Sequence, residues 1–447
     1  MRVLFVSLGC DKNRVDSEVM LGMLSDRGYE FTDDEEQAEA AVVNTCCFIN
    51  DAKEESVNTI LELAERKKSG QLKALLVTGC LAQRYKEEIQ KEIPEVDEVL
   101  GTTALDSIAT ALDKALEGQE ETFFESVDLK PAGDRKRVLT TGGQFSYLKI
   151  AEGCNKCCSY CIIPKVRGHY RSVPMEQLTA EAEKLAQAGV RELILVAQET
   201  TLYGTDLYGS KKLPELLHRL CAIEGFEWIR ILYCYPEEIT EELIQAIKAE
   251  PKVCHYLDMP IQSGSDAILK RMGRRTDNAE IRALVSRLRE EIPDICIRTT
   301  LITGFPGETA ADQRETMQLV KDLKFDRLGV FTYSAEEDTP AAVMPDQVSE
   351  TVKKTRRTRI MKLQQEIAFE SARAMIGRNV RAVIEGRIAD DESEDEGFTY
   401  VARTYKDAPD IDGYVFISGV RKELISGDFV NVKITGSHDY DLIGELE

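Results

Sequence analysis

Residues 152–168 read EGCNKCCSYCIIPKVRG, and within them Cys154, Cys158 and Cys161 follow a C-x3-C-x2-C spacing. A loop that presents three thiolates over so short a stretch narrows what the surrounding chain can be. It suits three irons of a [4Fe-4S] cube, with one iron left open as a reaction site. Zinc is the alternative, because the loop holds four cysteines, but Cys157 and Cys158 are adjacent and awkward to use together. Cys157 reads as a bystander. The chain has 447 residues and 12 cysteines. It contains neither a signal-peptide core nor an apolar run of about 18 residues, so a cytoplasmic setting is expected, where disulfides are not the default.

The loop follows a strand-like run, and α/β alternation surrounds it. Towards the amino terminus, RVLFVSLG, AAVVNTC and LKALLVTGC are strand candidates, each ending at a cysteine: Cys10, Cys46 and Cys80. In an open parallel sheet the carboxyl ends of strands share one rim, so these three distant residues are expected to converge there. The expected partition is an open parallel α/β unit over 1–120, a Gly- and Pro-bearing linker over 121–142, and a central unit over 143–374. Six βα-like repeats from Tyr147 onward predict a full or partial (β/α) barrel with its site at the strands' carboxyl ends. From 375 to 447 the runs turn short and β-rich, predicting a small all-β barrel.

The formal net charge is -22, which argues against broad nonspecific nucleic-acid binding. Over 377–447 there are 16 acidic and 8 basic residues, including the run Asp390, Asp391, Glu392, Glu394, Asp395, Glu396. Such a run is ordinarily a solvated surface, and here it would also repel RNA.

Taken together, the triplet after the first barrel strand, the LGCDKNRVDSE, VAQETTLYG and FDRLGVFTYSAEEDTPAA segments and the TLITGFPGET turn resemble the radical S-adenosylmethionine methylthiotransferases. The resemblance implies a methylthiotransferase amino-terminal domain, a radical domain and a carboxyl-terminal TRAM domain. It implies two [4Fe-4S] clusters, one on Cys154, Cys158 and Cys161 and an auxiliary one on Cys10, Cys46 and Cys80. It also implies S-adenosyl-L-methionine as cosubstrate, an electron donor and a sulfur source. LGCDKNRVDSE is similar to the subgroup acting on ribosomal protein S12, whereas the tRNA-modifying subgroup has a GCQMN-type sequence there. The implied reaction is methylthiolation of the β-carbon of an aspartate in S12, free or within the small ribosomal subunit.

Glu199, Arg298, Gly304, Gly307 and Glu308 are the candidate cosubstrate-binding residues, the glycines by letting backbone approach a ligand. An ordinary tight turn and a barrel-closing salt bridge of Arg298 are the bland alternatives. Beyond the cluster ligands no catalytic residue is assigned. Ser263 stands where relatives have a histidine, which suggests support of shape in place of proton transfer. Arg167 and Arg171 read as positioning groups or as a basic surface turn, while Cys47, Cys221, Cys234, Cys254 and Cys296 read as small buried hydrophobes. Two rival functions remain at this level: the same chemistry on tRNA adenosine, and a noncatalytic ribosome-associated iron-sulfur factor. The acidic carboxyl-terminal unit favours a basic protein partner over RNA, and a three-cysteine set favours a labile iron over a structural cluster.

Overall fold

Two hexapeptides buried at every position, AAVVNT and ALLVTG, organise the first unit, because strands apolar on both faces need helices on both sides. The computed structural model describes residues 1–119, 123–388 and 397–447; the acidic run 390–396 and residues 121 and 122 of the expected linker lie outside the described residues. Strands β1 (Arg2–Ser7), β2 (Glu30–Thr32), β3 (Ala40–Thr45), β4 (Ala74–Gly79) and β5 (Glu98–Val99) form a parallel sheet in the order β2-β1-β3-β4-β5. Ile60 and Leu63 of helix Asn50–Lys68 pack on one face. Met20 and Leu24 of helix Asp11–Asp26, with Ala111 and Leu112 of helix Ile108–Glu117, cover the other.

The six strand runs expected in the central unit all form. They are β6 (Phe145–Lys149), β9 (Glu192–Val196), β10 (Trp228–Ile231), β11 (Val253–Asp258), β12 (Cys296–Thr303) and β13 (Arg327–Thr332), parallel in the order β13-β12-β11-β10-β9-β6. The sheet does not close, since β6 and β13 are its edges, so the barrel is partial. Leu178, Leu217, Ile244, Val285 and Leu319, from five covering helices, belong to the large core on its convex side. On the concave side Tyr147, Ile194, Val196, Leu232 and Tyr256 share a cluster with Val15 of the first unit and with Val383 and Ala408 of the third. Two short strands, β7 (Ala151–Glu152) and β8 (Arg171–Ser172), pair antiparallel and pinch off the cysteine loop between them. At the start of that loop Gly153 has φ +80°, and a Cβ there would lie 2.0 Å from the His169 carbonyl oxygen, so only glycine fits.

Helix Glu350–Ala374 leads to a closed barrel of β14 (Asn379–Arg387), β15 (Phe398–Thr404), β16 (Val415–Val420), β17 (Phe429–His438) and β18 (Asp441–Leu446), in the order β14-β15-β16-β18-β17. The last β-rich run of the sequence splits into β17 and β18 at Asp439, whose φ of +51° makes the turn.

Buried ion pairs join the units. In the connector, Arg137 donates to Glu18 of the first unit at 2.5 Å and to Glu181 of the central unit at 2.7 Å. Glu192, 1% exposed, receives both Arg230 of β10 and Arg403 of β15 at 2.7 Å. Burial opposes its charge, but the two guanidiniums outweigh that and hold its carboxyl below the usual carboxylate range. Glu192→Gln leaves Arg230 without its countercharge and Arg403 with Glu385 alone, and is expected to cost about 3–5 kcal/mol, read as a lower midpoint of thermal unfolding; an unchanged midpoint contradicts this joint.

Candidate functional site

Parallel pairing of β1, β3 and β4 brings their carboxyl ends to one rim, and Cys10, Cys46 and Cys80 follow those ends by at most three residues. Gly79, at φ +93°, makes the sharp turn that Cys80 needs, because a Cβ there would lie 2.3 Å from the Asn44 side chain and 2.5 Å from the Thr45 carbonyl oxygen. Asn13 laces the rim together. Its Nδ2 donates to the carbonyls of Leu8 and Thr45 at 3.0 Å, while its Oδ1 lies 3.9 Å from the Cys80 sulfur. Burial pushes the Cys46 thiol up to about 12, with Cys80 and Cys10 adding to the effect, so the three sulfurs sense one another. Burial likewise raises Cys80, against the opposing pull of Arg167.

The second triad lies in the loop closed by β7 and β8. The Cys154 sulfur accepts the Lys156 backbone N–H at 3.5 Å, and the Cys158 sulfur is 3.7 Å from the Tyr235 hydroxyl. Burial pushes Cys154 up to about 12 and raises Cys161 further, with Cys158 and Cys154 contributing to the latter. Cys157 differs: it is exposed, with φ +53°. Cys47, Cys234, Cys254 and Cys296 are buried, and Cys221 packs against the central core.

Cys46 and Cys80 of the first triad and Cys154 and Cys161 of the second are thus thiols that burial keeps from ionising alone, donors that become thiolate against strong positive charge, while Cys10 stands exposed at the rim. Among the described residues no group of three or more His, Cys, Asp or Glu is gathered tightly enough to hold one metal ion. A four-iron cube puts each thiolate on a different iron and spreads its ligands wider than a single-ion cage, and three cysteines are the ligand number that leaves one of its irons open.

Between the triads runs a buried polar chain that sequence reading largely missed. Arg167 donates through Nε to the Cys80 sulfur at 3.2 Å and through Nη1 to Asp16 at 2.7 Å and Glu152 at 3.2 Å. Lys149 bridges Asp16 and Glu152, and Gln198 donates to Glu152. Nearer Cys10, the Lys12 ammonium sits 3.3 Å over the Tyr233 ring and 3.1 Å from Asp11, whose second oxygen is buried without a partner. Burial works against the Lys12 charge, yet Asp11 and Tyr233 outweigh it and hold the ammonium above the usual lysine range. The available signal was that Asp11 and Lys12 stand where the other subgroup has a different pair; their partner Tyr233 lies in a distant segment.

The candidate cosubstrate residues divide. Glu199 is fully buried, with Oε1 accepting the Thr201 N–H at 2.9 Å and Oε2 unpartnered. Burial pushes its carboxyl up to about 7. Arg274, over the Tyr235 ring and close to Cys158, and Gln262, bridged to Leu301 of β12, also keep buried polar atoms without partners. These orphaned atoms fit a polar ligand. The space opened by the two glycines, in contrast, is filled by protein: a Cβ on Gly304 would meet Lys353 at 2.2 Å, and one on Gly307 would meet Arg271 at 2.7 Å. Glu308 is spent on the Gly304 N–H at 3.0 Å and on Arg356 at 2.7 Å. Arg298 pairs with Asp258 of the neighbouring strand at 2.8 Å and faces Asp412 of the third unit at 3.7 Å, a structural salt bridge in a sheet that stays open. Ser263 turns inward, its hydroxyl accepting the Ser265 N–H at 3.2 Å. Arg171 braces the loop, donating to the carbonyls of His169 at 2.6 Å and Arg167 at 3.0 Å.

Residues 2–101 match an uncharacterised protein family, UPF0004; residues 148–320 match the radical SAM superfamily; residues 376–446 match the TRAM domain. The chain is 60% identical to the ribosomal protein uS12 methylthiotransferase RimO of Lachnoclostridium phytofermentans, over 100% of both chains. It is 46% identical to that of Clostridioides difficile, covering 100% of this chain and 99% of the relative. Among solved structures, the radical S-adenosylmethionine methyltransferase TsrM from Kitasatospora setae superposes with a TM-score of 0.56 at 15% identity, over 76% of this chain and 77% of that one. That likeness concerns the fold alone.

The contrast between the two carboxylates is testable. Glu308→Gln breaks a buried pair and is expected to cost about 3–5 kcal/mol, whereas Glu199→Gln, at a carboxyl with an unpartnered oxygen, leaves the thermal midpoint of the full chain unchanged. Equal losses contradict the division.

Proposed function

The chain belongs to the ribosomal protein uS12 methylthiotransferase family, and from that premise we propose that it methylthiolates the β-carbon of an aspartate in ribosomal protein S12, as a radical S-adenosylmethionine enzyme. The observation that carries the reading is full-length identity to relatives of that name, combined with the convergence of two separate cysteine triads. In this reading Cys154, Cys158 and Cys161 hold the radical cluster, and Cys10, Cys46 and Cys80 hold the auxiliary one. When bound, the two clusters and S-adenosyl-L-methionine supply the one-electron chemistry and the sulfur and methyl groups that side chains cannot provide.

The chain's own residues do the rest. Burial keeps water from four of the six cysteines, Cys46, Cys80, Cys154 and Cys158 each being under 8% exposed, while Cys10 stays open to solvent. Glu199, Gln262 and Arg274 offer unpartnered polar atoms for orienting the cosubstrate. Arg298 and Glu308 stay with their protein partners and hold the strands on which the site rests. The acidic balance of the carboxyl-terminal residues supports a basic ribosomal protein as partner, free or in the small subunit, over direct nucleic-acid binding. An external electron donor and sulfur source complete the reaction. No helix among the described residues is long and apolar enough to cross a membrane, and we place the reaction in the cytoplasm, where S12 is.

Two outcomes follow. Iron and sulfide analysis after anaerobic reconstitution is expected to give about half the wild-type content when Cys154, Cys158 and Cys161 are all changed to Ala, and the same when Cys10, Cys46 and Cys80 are; Cys157→Ala keeps it all. Incubation of the loaded wild-type protein with S-adenosyl-L-methionine, sulfide, reductant and S12 is expected to add about 46 Da to one aspartate, the replacement of H by SCH3. Unmodified S12 alongside methylthiolated tRNA adenosine overturns the substrate assignment.

A further inference from the structure

Arg167 belongs by sequence to the loop of the second triad and by contact to the first. It ends the short helix Ile163–Arg167, which begins two residues after Cys161. Its side chain is 3% exposed and crosses out of the central unit into the rim of the amino-terminal sheet. All three guanidinium nitrogens are used: Nε on the Cys80 sulfur at 3.2 Å, Nη1 on Asp16 and Glu152, and Nη2 on Asn13, the residue that also ties down the Leu8 and Thr45 carbonyls. Arg171 holds its backbone carbonyl at 3.0 Å. The geometry therefore aims a fixed N–H donor at one sulfur, with neighbours that leave it little freedom to turn away.

A cationic N–H on a ligand sulfur stabilises whichever cluster state carries more negative charge, which is the reduced one. Asp16 and Glu152 neutralise part of the Arg167 charge over distance, but the N–H pointed at sulfur acts on Cys80 alone. We infer that Arg167 is a positioning residue for the amino-terminal cluster: its Nε–H donates to Cys80, raises the midpoint potential of the cluster held there, and links that potential to the seating of the radical-cluster loop. The inference rests on the reading that Cys10, Cys46 and Cys80 hold an iron-sulfur cluster. It gives the two sites a physical connection, since a displacement of the loop bearing Cys154, Cys158 and Cys161 withdraws the donor from Cys80.

The test uses the full chain, reconstituted anaerobically, in the background where Cys154, Cys158 and Cys161 are Ala, so that only the amino-terminal cluster is observed. Dithionite titration followed by electron paramagnetic resonance is expected to show a more negative midpoint in Arg167→Gln and a smaller shift of the same sign in Arg167→Lys, which keeps the charge but loses the directed N–H. In the complementary background lacking Cys10, Cys46 and Cys80, the radical cluster's midpoint is expected to stay where it is. A merely structural role lowers iron content without moving the potential of the cluster that remains. Should both variants fail to load, isotopically labelled arginine in the unsubstituted Arg167 protein decides the matter: a nitrogen hyperfine coupling to the reduced cluster is expected, and its absence overturns the inference. Unmoved midpoints at full iron content also overturn it. If the background with Arg167 intact binds no iron at all, the cluster reading of Cys10, Cys46 and Cys80 fails instead, a result separate from either.

Discussion

A guanidinium or carboxylate removed from water must find its countercharge inside the protein, and the joints of this molecule are built on that requirement. Arg137 fastens the connector to Glu18 on one side and Glu181 on the other. Glu192 stands between Arg230 and Arg403, where the open face of the central sheet meets the carboxyl-terminal barrel. Arg298 and Arg327 meet Asp412 and Asp407 across the same interface. Arg167 and Lys149 reach Asp16 in the amino-terminal unit. An apolar interface tolerates sliding, whereas a buried pair is strongly penalised for separation. The relative placement of the three units, and with it the approach of the two cysteine triads, depends on these pairs.

The site itself follows from strand direction. Parallel strands end on the same side, so Cys10, Cys46 and Cys80 meet at a rim although long helices separate them in sequence. The other triad needs no such long-range device, because its three cysteines share one loop. That loop is cinched by the β7–β8 ladder, and the glycine at its start admits no side chain. One triad is therefore assembled by topology and the other by local geometry. Arg167, six residues beyond Cys161, is where the two constructions touch.

Much of this was legible in the sequence for reasons that can be named. The apolar runs ending at Cys10, Cys46 and Cys80 announced an open parallel sheet, and the six central strands appear where their runs stand. Cys157, read as a bystander from its adjacency to Cys158, is exposed with a left-handed backbone. The glycine turn misled in part: Gly304 and Gly307 do remove Cβ atoms, but the vacated space receives Lys353 and Arg271. Glu308 was a reasonable ligand group until Arg356, from the long helix Glu350–Ala374, occupied it. Glu199 differs, because it is fully buried and its second oxygen has no partner while the Thr201 N–H and hydroxyl take the first.

Short-range patterns settled the identity and type of the elements: cysteine spacing, the apolar period of each strand, and glycines at tight turns act within a few residues, so the sequence by itself determined the three units and both cysteine triads. Which charged residue serves ligand and which serves fold was decided only in the tertiary structure. Asp16, Arg167, Arg298 and Glu308 look alike as isolated letters, and their roles depend on which opposite charge arrives from another unit when all are buried together. Coulomb attraction in a dry interface is strong enough to dictate that choice, and its partners are set by docking, which local sequence does not encode.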